Sequence, residues 1–225
     1  MLMLAVMLAA CENDDAEKFK IMTKKIELIV GESQKIETSG GFTARSTDEQ
    51  VATVAADGTI TAVSAGEADV VFTSTEDATQ HETCHVTADW RYHYFEEPVI
   101  DFSLSLEQVK AMETHKYQSD NEWEPGPDIL NAPNPWLIRY NYEEQSIPME
   151  ICYGILDKEN GGIGEIVMTA PSLRGFTQSQ KEEIIQQLTE RYGSPNMFNN
   201  DILFTPLSKK YTVMIRNNYI IYRPK

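Results

Sequence analysis

The stretch STDEQVATVAADGTITAVSAGEA, residues 46–68, decides the fold of the N-terminal half of the chain. Asp57-Gly58 stands near its centre, and this dipeptide favours a tight hairpin because both residues tolerate positive φ. Short β-prone segments surround the hairpin at a regular spacing, with no helical pattern between them. These segments cover residues 25–30, 34–38, 42–46, 51–54, 59–63, 68–73 and 83–88. The pattern predicts a β-sandwich or a barrel.

This stretch, together with the closing Cys84-His85-Val86-Thr87, resembles the core signature of group 2 bacterial Ig-like domains. The resemblance implies an immunoglobulin-like Greek-key sandwich, which we place at residues 23–88. Domains of this group occur in surface adhesins and intimin-like proteins, and as spacers in secreted enzymes. Since such modules bind ligands in some proteins and only extend others, the fold alone does not determine the function.

A possible zinc motif lies inside this domain. Residues 81–85, His-Glu-Thr-Cys-His, match H-E-x-x-H, in which two histidines one helical turn apart share a zinc ion. In a strand, four residues span roughly 13 Å, which is too far for two bonds of about 2 Å to one metal. The alternation of Cys84, Val86 and Ala88 favours a strand. We therefore predict no metal site here and no zinc protease.

The N-terminus has the pattern of a lipoprotein signal. Residues 1–10 form an apolar run, and Leu8-Ala9-Ala10-Cys11 resembles the lipobox of bacterial lipoproteins. The resemblance implies a signal peptide at residues 1–10 and lipidation of Cys11. Ten residues span about 15 Å as a helix, half of a hydrocarbon core, so a transmembrane helix fits poorly. A buried strand that ends in a chance cysteine is the alternative.

The first residues after Cys11 predict a solvated tether. Glu12-Asn13-Asp14-Asp15 opens a polar segment, which we place at residues 11–22. In some Gram-negative lineages such an acidic run resembles the signal that directs lipoproteins to the cell exterior. We expect a protein anchored by lipid in the outer membrane at the cell surface, with the periplasmic face as the alternative. Because no Lys or Arg precedes the apolar run, we expect the true signal to begin upstream.

The net charge of −16 limits the expected partners. Nucleic acids bind proteins through Lys and Arg that displace counterions, so we expect neither DNA nor RNA as a partner. Membrane contact is expected through the lipid anchor only, because an acidic chain offers little attraction to anionic lipids. Cys84 and Cys152 have no close cysteine neighbour in the sequence, and we predict that both are buried free thiols.

Residues 89–225 predict an α+β domain, so the whole chain is expected to be multi-domain, an all-β sandwich followed by α+β. Ser105 and Thr177 each open a helix with a capping box, and Gly193 ends the second helix. Strands are predicted at 136–142, 147–156, 163–169, 202–205, 211–216 and 219–223. The order indicates two α-β-β-β units in one antiparallel sheet that helices cover on one face. Their origin by duplication is a hypothesis.

Two aromatic segments are candidates for ligand contact. Residues 89–95 are dense in aromatics and are predicted to form a strand wedged between the domains, or alternatively an exposed ledge that stacks on carbohydrate. The polar loop at 117–135 is long enough to be functional. In or beside it, Trp123 and Trp136 could stack on sugar rings, and the loop's carboxylates could form a glycosidase pair. The alternative is a solvated acidic loop with one tryptophan in the core.

No catalytic residue, metal or cofactor is predicted, because the sequence lacks a nucleophile elbow, Ser-x-x-Lys, a Walker loop and a dinucleotide fingerprint. The leading hypothesis is a non-enzymatic surface lipoprotein that presents its α+β domain on an Ig-like stalk to bind an extracellular protein or glycan. One alternative is a periplasmic hydrolase or inhibitor carried on an Ig-like spacer. Another is a structural subunit of an envelope assembly.

Overall fold

The computed structural model describes residues 18–122, 136–142, 145–156, 161–171 and 175–225. The chain divides into two compact units, one that reaches to Trp90 and one that spans Arg91–Lys225. Three parts of the sequence predictions lie outside the described residues: the signal peptide, most of the tether with Cys11, and most of the polar loop with Trp123.

The first unit is the predicted immunoglobulin-like sandwich. Its strands are β1 Lys25–Ile29, β2 Ser33–Lys35, β3 Phe42–Ser46, β4 Ala52–Val54, β5 Thr59–Ala62, β6 Gly66–Ser74 and β7 His81–Asp89. One sheet has the order β1-β7-β6-β3 and the other has the order β2-β5-β4. β1 runs parallel to β7, and the other neighbouring strands are antiparallel. The all-β prediction for this half is confirmed.

Along β6 and β7, every second side chain points into the core of this unit. Val70 and Phe72 on β6 and Val86 on β7 are fully buried, whereas the residues between them are only half-buried. They share one core with Ala52 and Ile60 of the smaller sheet. Burial of each large apolar side chain contributes about 1.5–3 kcal/mol, so the two facing sheets hold each other in place.

The hairpin at Asp57-Gly58 forms where it was predicted but with a different geometry. Gly58 has a φ of +84°, whereas Asp57 does not take a positive φ. The Asp57 carboxylate instead accepts a hydrogen bond from the Thr59 N–H at 3.0 Å. A Cβ on residue 58 would lie 3.1 Å from the Ile36 carbonyl oxygen. One left-handed glycine therefore closes this turn, and a side chain there would be strained and crowded.

The second unit is one eight-stranded antiparallel sheet with two helices. Its elements are α1 Leu106–Met112, β8 Lys116–Glu122, β9 Trp136–Tyr142, β10 Met149–Ile155, β11 Ile163–Thr169, α2 Gln178–Tyr192, β12 Asn196–Phe198, β13 Asp201–Phe204, β14 Tyr211–Arg216 and β15 Tyr219–Pro224. The sheet order is β12-β13-β14-β15-β11-β10-β9-β8. Val109 of α1 and Leu188 of α2 lie in one core with residues from one face of the sheet. The predicted α+β class with helices on one face is confirmed.

The second unit has two halves, and each half is a helix followed by four strands. Each predicted α-β-β-β unit was therefore one strand short. α1 precedes β8–β11 and α2 precedes β12–β15, and the halves join where β11 pairs with β15. Both missed strands, β8 and β12, are edge strands. β8 reads KYQSDNE and all three residues of β12 are exposed, so neither carries the apolar alternation of a half-buried strand.

Both helices begin as predicted. The Ser105 hydroxyl accepts from the Gln108 N–H, and the Gln108 side chain accepts from the Ser105 N–H at 2.9 Å. Thr177 and Gln180 form the same reciprocal pair at the start of α2. Gly193, with a φ of +81°, ends α2. These caps satisfy backbone N–H groups that have no partner within the helix.

Residues 91–104, called the connecting segment below, are irregular, so the prediction of a strand at 89–95 was wrong beyond Asp89. Side chains of α2 take the place of strand partners. Gln187 is fully buried; its oxygen accepts from the N–H groups of Tyr94 at 2.6 Å and Phe95 at 3.1 Å, and its amide donates to the Phe95 carbonyl at 2.6 Å. The Glu190 carboxylate accepts from two further backbone N–H groups at the start of the segment. The segment is thereby fixed along α2.

We expect Gln187→Ala to destabilise the α+β unit by about 2–3 kcal/mol, because backbone groups of Tyr94 and Phe95 would stay buried without a partner. The measurement is urea unfolding of the full chain followed by circular dichroism. Gln186→Ala is the matched control, since Gln186 is exposed and its one bond among the described residues comes from the Tyr94 hydroxyl, at 3.2 Å; its effect should stay within about 0.5 kcal/mol. Equal effects of the two substitutions would contradict the role given to Gln187.

Candidate functional site

The end of α1 carries a carboxylate into the interior of the second unit. Glu113 is the C-cap residue of α1, and its backbone N–H donates to the Val109 carbonyl at 2.9 Å. Its backbone is extended, which directs the chain towards β8, and its side chain is 2% exposed. Glutamate at a helix end is ordinarily solvated, so the sequence contained no signal that singled out this residue.

Four contacts hold the Glu113 carboxylate. Oε2 accepts from the hydroxyls of Tyr142 at 2.7 Å and Tyr153 at 2.8 Å. Oε1 accepts from the backbone N–H of His115 at 3.1 Å and lies 2.6 Å from Nδ1 of the same residue. Both oxygens are therefore satisfied, as a buried charge requires.

Protonation in this cluster follows from burial and hydrogen bonding. Burial raises the pKa of Glu113, but the hydrogen bonds from Tyr142, His115 and Tyr153 outweigh it, so the pKa lies below its ordinary value of 4.5. Burial raises the pKa of both tyrosines far above 10.0, and the nearby carboxylate adds to the effect. At neutral pH Glu113 is charged and both hydroxyls keep the protons that they donate.

His115 is held in one orientation. Its Nδ1 faces Glu113, and its Nε2 lies 3.1 Å from Oε2 of Glu96 in the connecting segment. Its ring stacks on Tyr142 with 3.4 Å between the ring centroids and 22° between the planes. The imidazole is therefore held between two carboxylates, one at each ring nitrogen.

A cavity of about 390 Å³ opens beside this ring. The described residues that line it are Glu96, Thr114, His115, Lys116, Asn141, Tyr142 and Gln145. They come from the connecting segment, the start of β8 and the region at the end of β9. The pairing of β8 with β9, which sets Lys116 opposite Asn141, brings two of these regions together. The lining can both donate and accept hydrogen bonds.

Glu97 also anchors the connecting segment. Its Oε1 accepts from the hydroxyls of Tyr192 at 2.6 Å and Tyr222 at 3.0 Å, and its Oε2 accepts from Arg191 at 2.8 Å. Burial is the main reason why the pKa of both tyrosines is raised, so both stay protonated donors. Because Glu96 and Glu97 are consecutive, this anchor also fixes the backbone that carries Glu96 to His115.

Trp136, one of the two predicted ligand-binding residues, lies away from the cavity. It begins β9, five residues before Asn141, which corresponds to about 17 Å along a strand. Its side chain is half-buried and packs against the core. Trp123 lies outside the described residues. Sugar stacking by Trp123 and Trp136 stays a prediction and is separate from any binding at this cavity.

Cys84 and Cys152 are free, as predicted. Cys84 is fully buried on β7. Cys152 is only half-buried, so the prediction of burial was wrong for this residue; its strand neighbours across β9 and along β10 are the polar Arg139 and Glu150. Burial raises the pKa of both thiols to about 11, which keeps them protonated and poorly nucleophilic at neutral pH.

The H-E-x-x-H residues lie in strand β7, as predicted. His85 contacts Asp69 of the neighbouring strand, with 2.9 Å between Nδ1 and Oδ1. Across the described ranges, no group of three or more His, Cys, Asp or Glu side chains is arranged to hold a metal ion. None of the helices in those ranges combines the length and the apolar character that crossing a bilayer requires.

Comparison with known proteins concerns the first unit. Residues 16–86 match the model of the bacterial Ig-like domain (group 2). The match includes β1–β6 and most of β7, and it begins upstream of the boundary at residue 23 that the sequence predicted. No curated protein matches the chain. Residues 16–86 of this chain therefore form a bacterial Ig-like domain of group 2.

Proposed function

We propose that the chain is a lipid-anchored protein of the outer membrane whose α+β unit binds an extracellular protein or glycan at the cell surface without catalysing a reaction. The observation that carries the proposal is the polar cavity beside His115, with its preorganised lining. In this reading the Ig-like domain serves as the stalk. The lipid anchor is the only expected contact with the membrane, and nucleic acid is not a partner, given the net charge of −16.

The anchor is supported by the lipobox-like residues that end at Cys11. Each buried methylene of an acyl chain contributes about 0.8 kcal/mol, and stable attachment takes two or more chains, which a lipidated N-terminal cysteine supplies in bacterial lipoproteins. The acidic residues Glu12, Asp14 and Asp15 favour the outer face of the cell over the periplasmic face.

Glu113, the buried carboxylate beside the cavity, is unsuited to act as the general acid of a hydrolase. A general acid needs a raised pKa and access to substrate, but the pKa of Glu113 is lowered and its side chain is 2% exposed. Its oxygens are occupied by Tyr142, Tyr153 and His115. Glu113 therefore acts as a structural group that orients His115.

A second candidate function is a subunit of an envelope assembly. The edge strand β12 exposes Met197 and Phe198, with 69% and 66% of their surface accessible. An exposed apolar edge is suited to pairing with another chain.

Cys11→Ser is expected to move the protein from the membrane fraction to the soluble fraction, because the thiol that would carry the lipid is gone. The measurements are detergent phase partitioning and immunoblotting of fractions. Cys152→Ser is the matched control and should stay in the membrane fraction.

The surface location is tested separately: protease added to intact cells should degrade the wild-type protein. A membrane-bound Cys11→Ser protein would contradict the anchor, and protection from protease would contradict the surface location.

The full mature chain, tagged at its C-terminus, is expected to bind saturably to an oligosaccharide on a printed glycan array or to a protein from an extracellular-protein array. A dissociation constant in the micromolar range or below is expected, because the residues of a preformed cavity need little further ordering when a ligand binds. If neither array yields a saturable ligand, the binding function is refuted.

Glu113→Gln is expected to destabilise the α+β unit by about 1–3 kcal/mol at neutral pH, since the amide cannot accept all the bonds that the carboxylate accepts. The lowered pKa means that the charge of Glu113 stabilises the fold above pH 4.5, its ordinary pKa, and that this stabilisation is lost as the pH falls further.

The measurement is urea unfolding of both proteins as a function of pH. The stability difference between wild type and Glu113→Gln should be largest above pH 4.5 and should shrink at lower pH. Glu182→Gln, on the exposed side of α2, is the control and should show no such trend. A pH-independent difference for Glu113→Gln would contradict the charged state assigned to Glu113.

A further inference from the structure

We propose that the cavity beside His115 is a binding site for a neutral, hydroxyl-rich sugar unit of a glycan. This inference rests on the binding function proposed above and narrows it to one site and one ligand class. Three features of the cavity lead to it: its unengaged polar groups, its rigid ring surface and the shape of the neighbouring sheet edge.

Three polar groups at the cavity are available to a ligand. In the part of the chain that the structure describes, the Lys116 ammonium and the Thr114 hydroxyl form no hydrogen bond or ion pair. Oε1 of Glu96 also has no partner there, since only Oε2 of this carboxylate contacts His115, and the side chain is 64% exposed. The cavity thus offers a cationic donor, an anionic acceptor and a hydroxyl that can do both.

This set matches the chemistry of sugar hydroxyls. Each hydroxyl can accept a bond from Lys116 and donate one to Glu96, and bonds to charged groups are the strong ones. A free anion would meet the negative charges of Glu96 and of the buried Glu113. A free cation would meet the Lys116 ammonium. A neutral polyol avoids both kinds of repulsion.

His115 supplies a flat surface that is held at both ring nitrogens. Tyr142 behind it is 2% exposed, whereas the His115 side chain is 24% exposed, so the imidazole is the aromatic surface that a ligand meets. Because both of its nitrogens are held by carboxylates, the ring does not have to be ordered when a ligand binds. The cavity volume of about 390 Å³ is at the lower end of the roughly 300–1,000 Å³ of ligand pockets, which suits one or two sugar rings.

An extended peptide fits this place less well. β8 is the edge strand next to the cavity, and its pairing with β9 shifts register between Tyr117 and Ser119. This shift interrupts the regular row of backbone groups that an added strand would need. A compact ring that uses side chains rather than backbone groups meets no such obstacle.

The test uses the full mature chain on a printed array of neutral and acidic oligosaccharides. The neutral oligosaccharide with the strongest signal is then titrated by isothermal calorimetry, and glycylglycine is titrated as a zwitterionic probe. Lys116→Ala and Glu96→Gln are each expected to weaken binding of the oligosaccharide by about tenfold or more, as loss of a bond to a charged group does.

The matched controls are Lys209→Ala and Glu182→Gln, exposed residues away from the cavity, which should bind as the wild type does. Thermal unfolding of each variant checks that the fold is kept. Oligosaccharide binding that the cavity variants leave unchanged would overturn the assignment of the site but not the binding function. A preference for acidic glycans, for glycylglycine or for a protein would overturn the sugar class, whereas no ligand of any kind would refute the binding function itself.

Discussion

The burial of one carboxylate is the constraint on which the candidate site depends. Glu113 can remain charged inside the second unit only because donors reach both of its oxygens. Tyr142 lies on β9, Tyr153 on β10 and His115 just before β8, so satisfying this one group links the end of α1 to three neighbouring strands. The same bonds set the orientation of the imidazole that faces the cavity.

The connecting segment has a related requirement. Its backbone lacks the strand neighbours that would satisfy its N–H and C=O groups, and buried groups of this kind must find partners elsewhere. Gln187 and Glu190 of α2 supply these partners. The Glu97 side chain is held by Arg191, Tyr192 and Tyr222. The segment fixed in this way places Oε2 of Glu96 3.1 Å from Nε2 of His115.

The two units are stabilised in different ways. The group 2 Ig-like domain has an apolar core made by alternating side chains of two sheets. The α+β unit adds buried polar networks around Glu113, Glu97 and Gln187 to its apolar core. Satisfied networks of this kind hold side chains in single orientations.

The sequence by itself determined the features that depend on neighbouring residues: the strands and hairpin position of the Ig-like domain, both capping boxes, and most strands of the α+β unit. Alternation, turn residues and cap residues act over a few positions, so their signal is local. Tertiary structure alone decided that β8 and β12 are strands, because an edge strand is defined by its one partner. It alone brought Glu96, Glu113, His115 and Tyr142 together, since residues separated by up to 46 positions meet only when the sheet pairs and α1 packs on it.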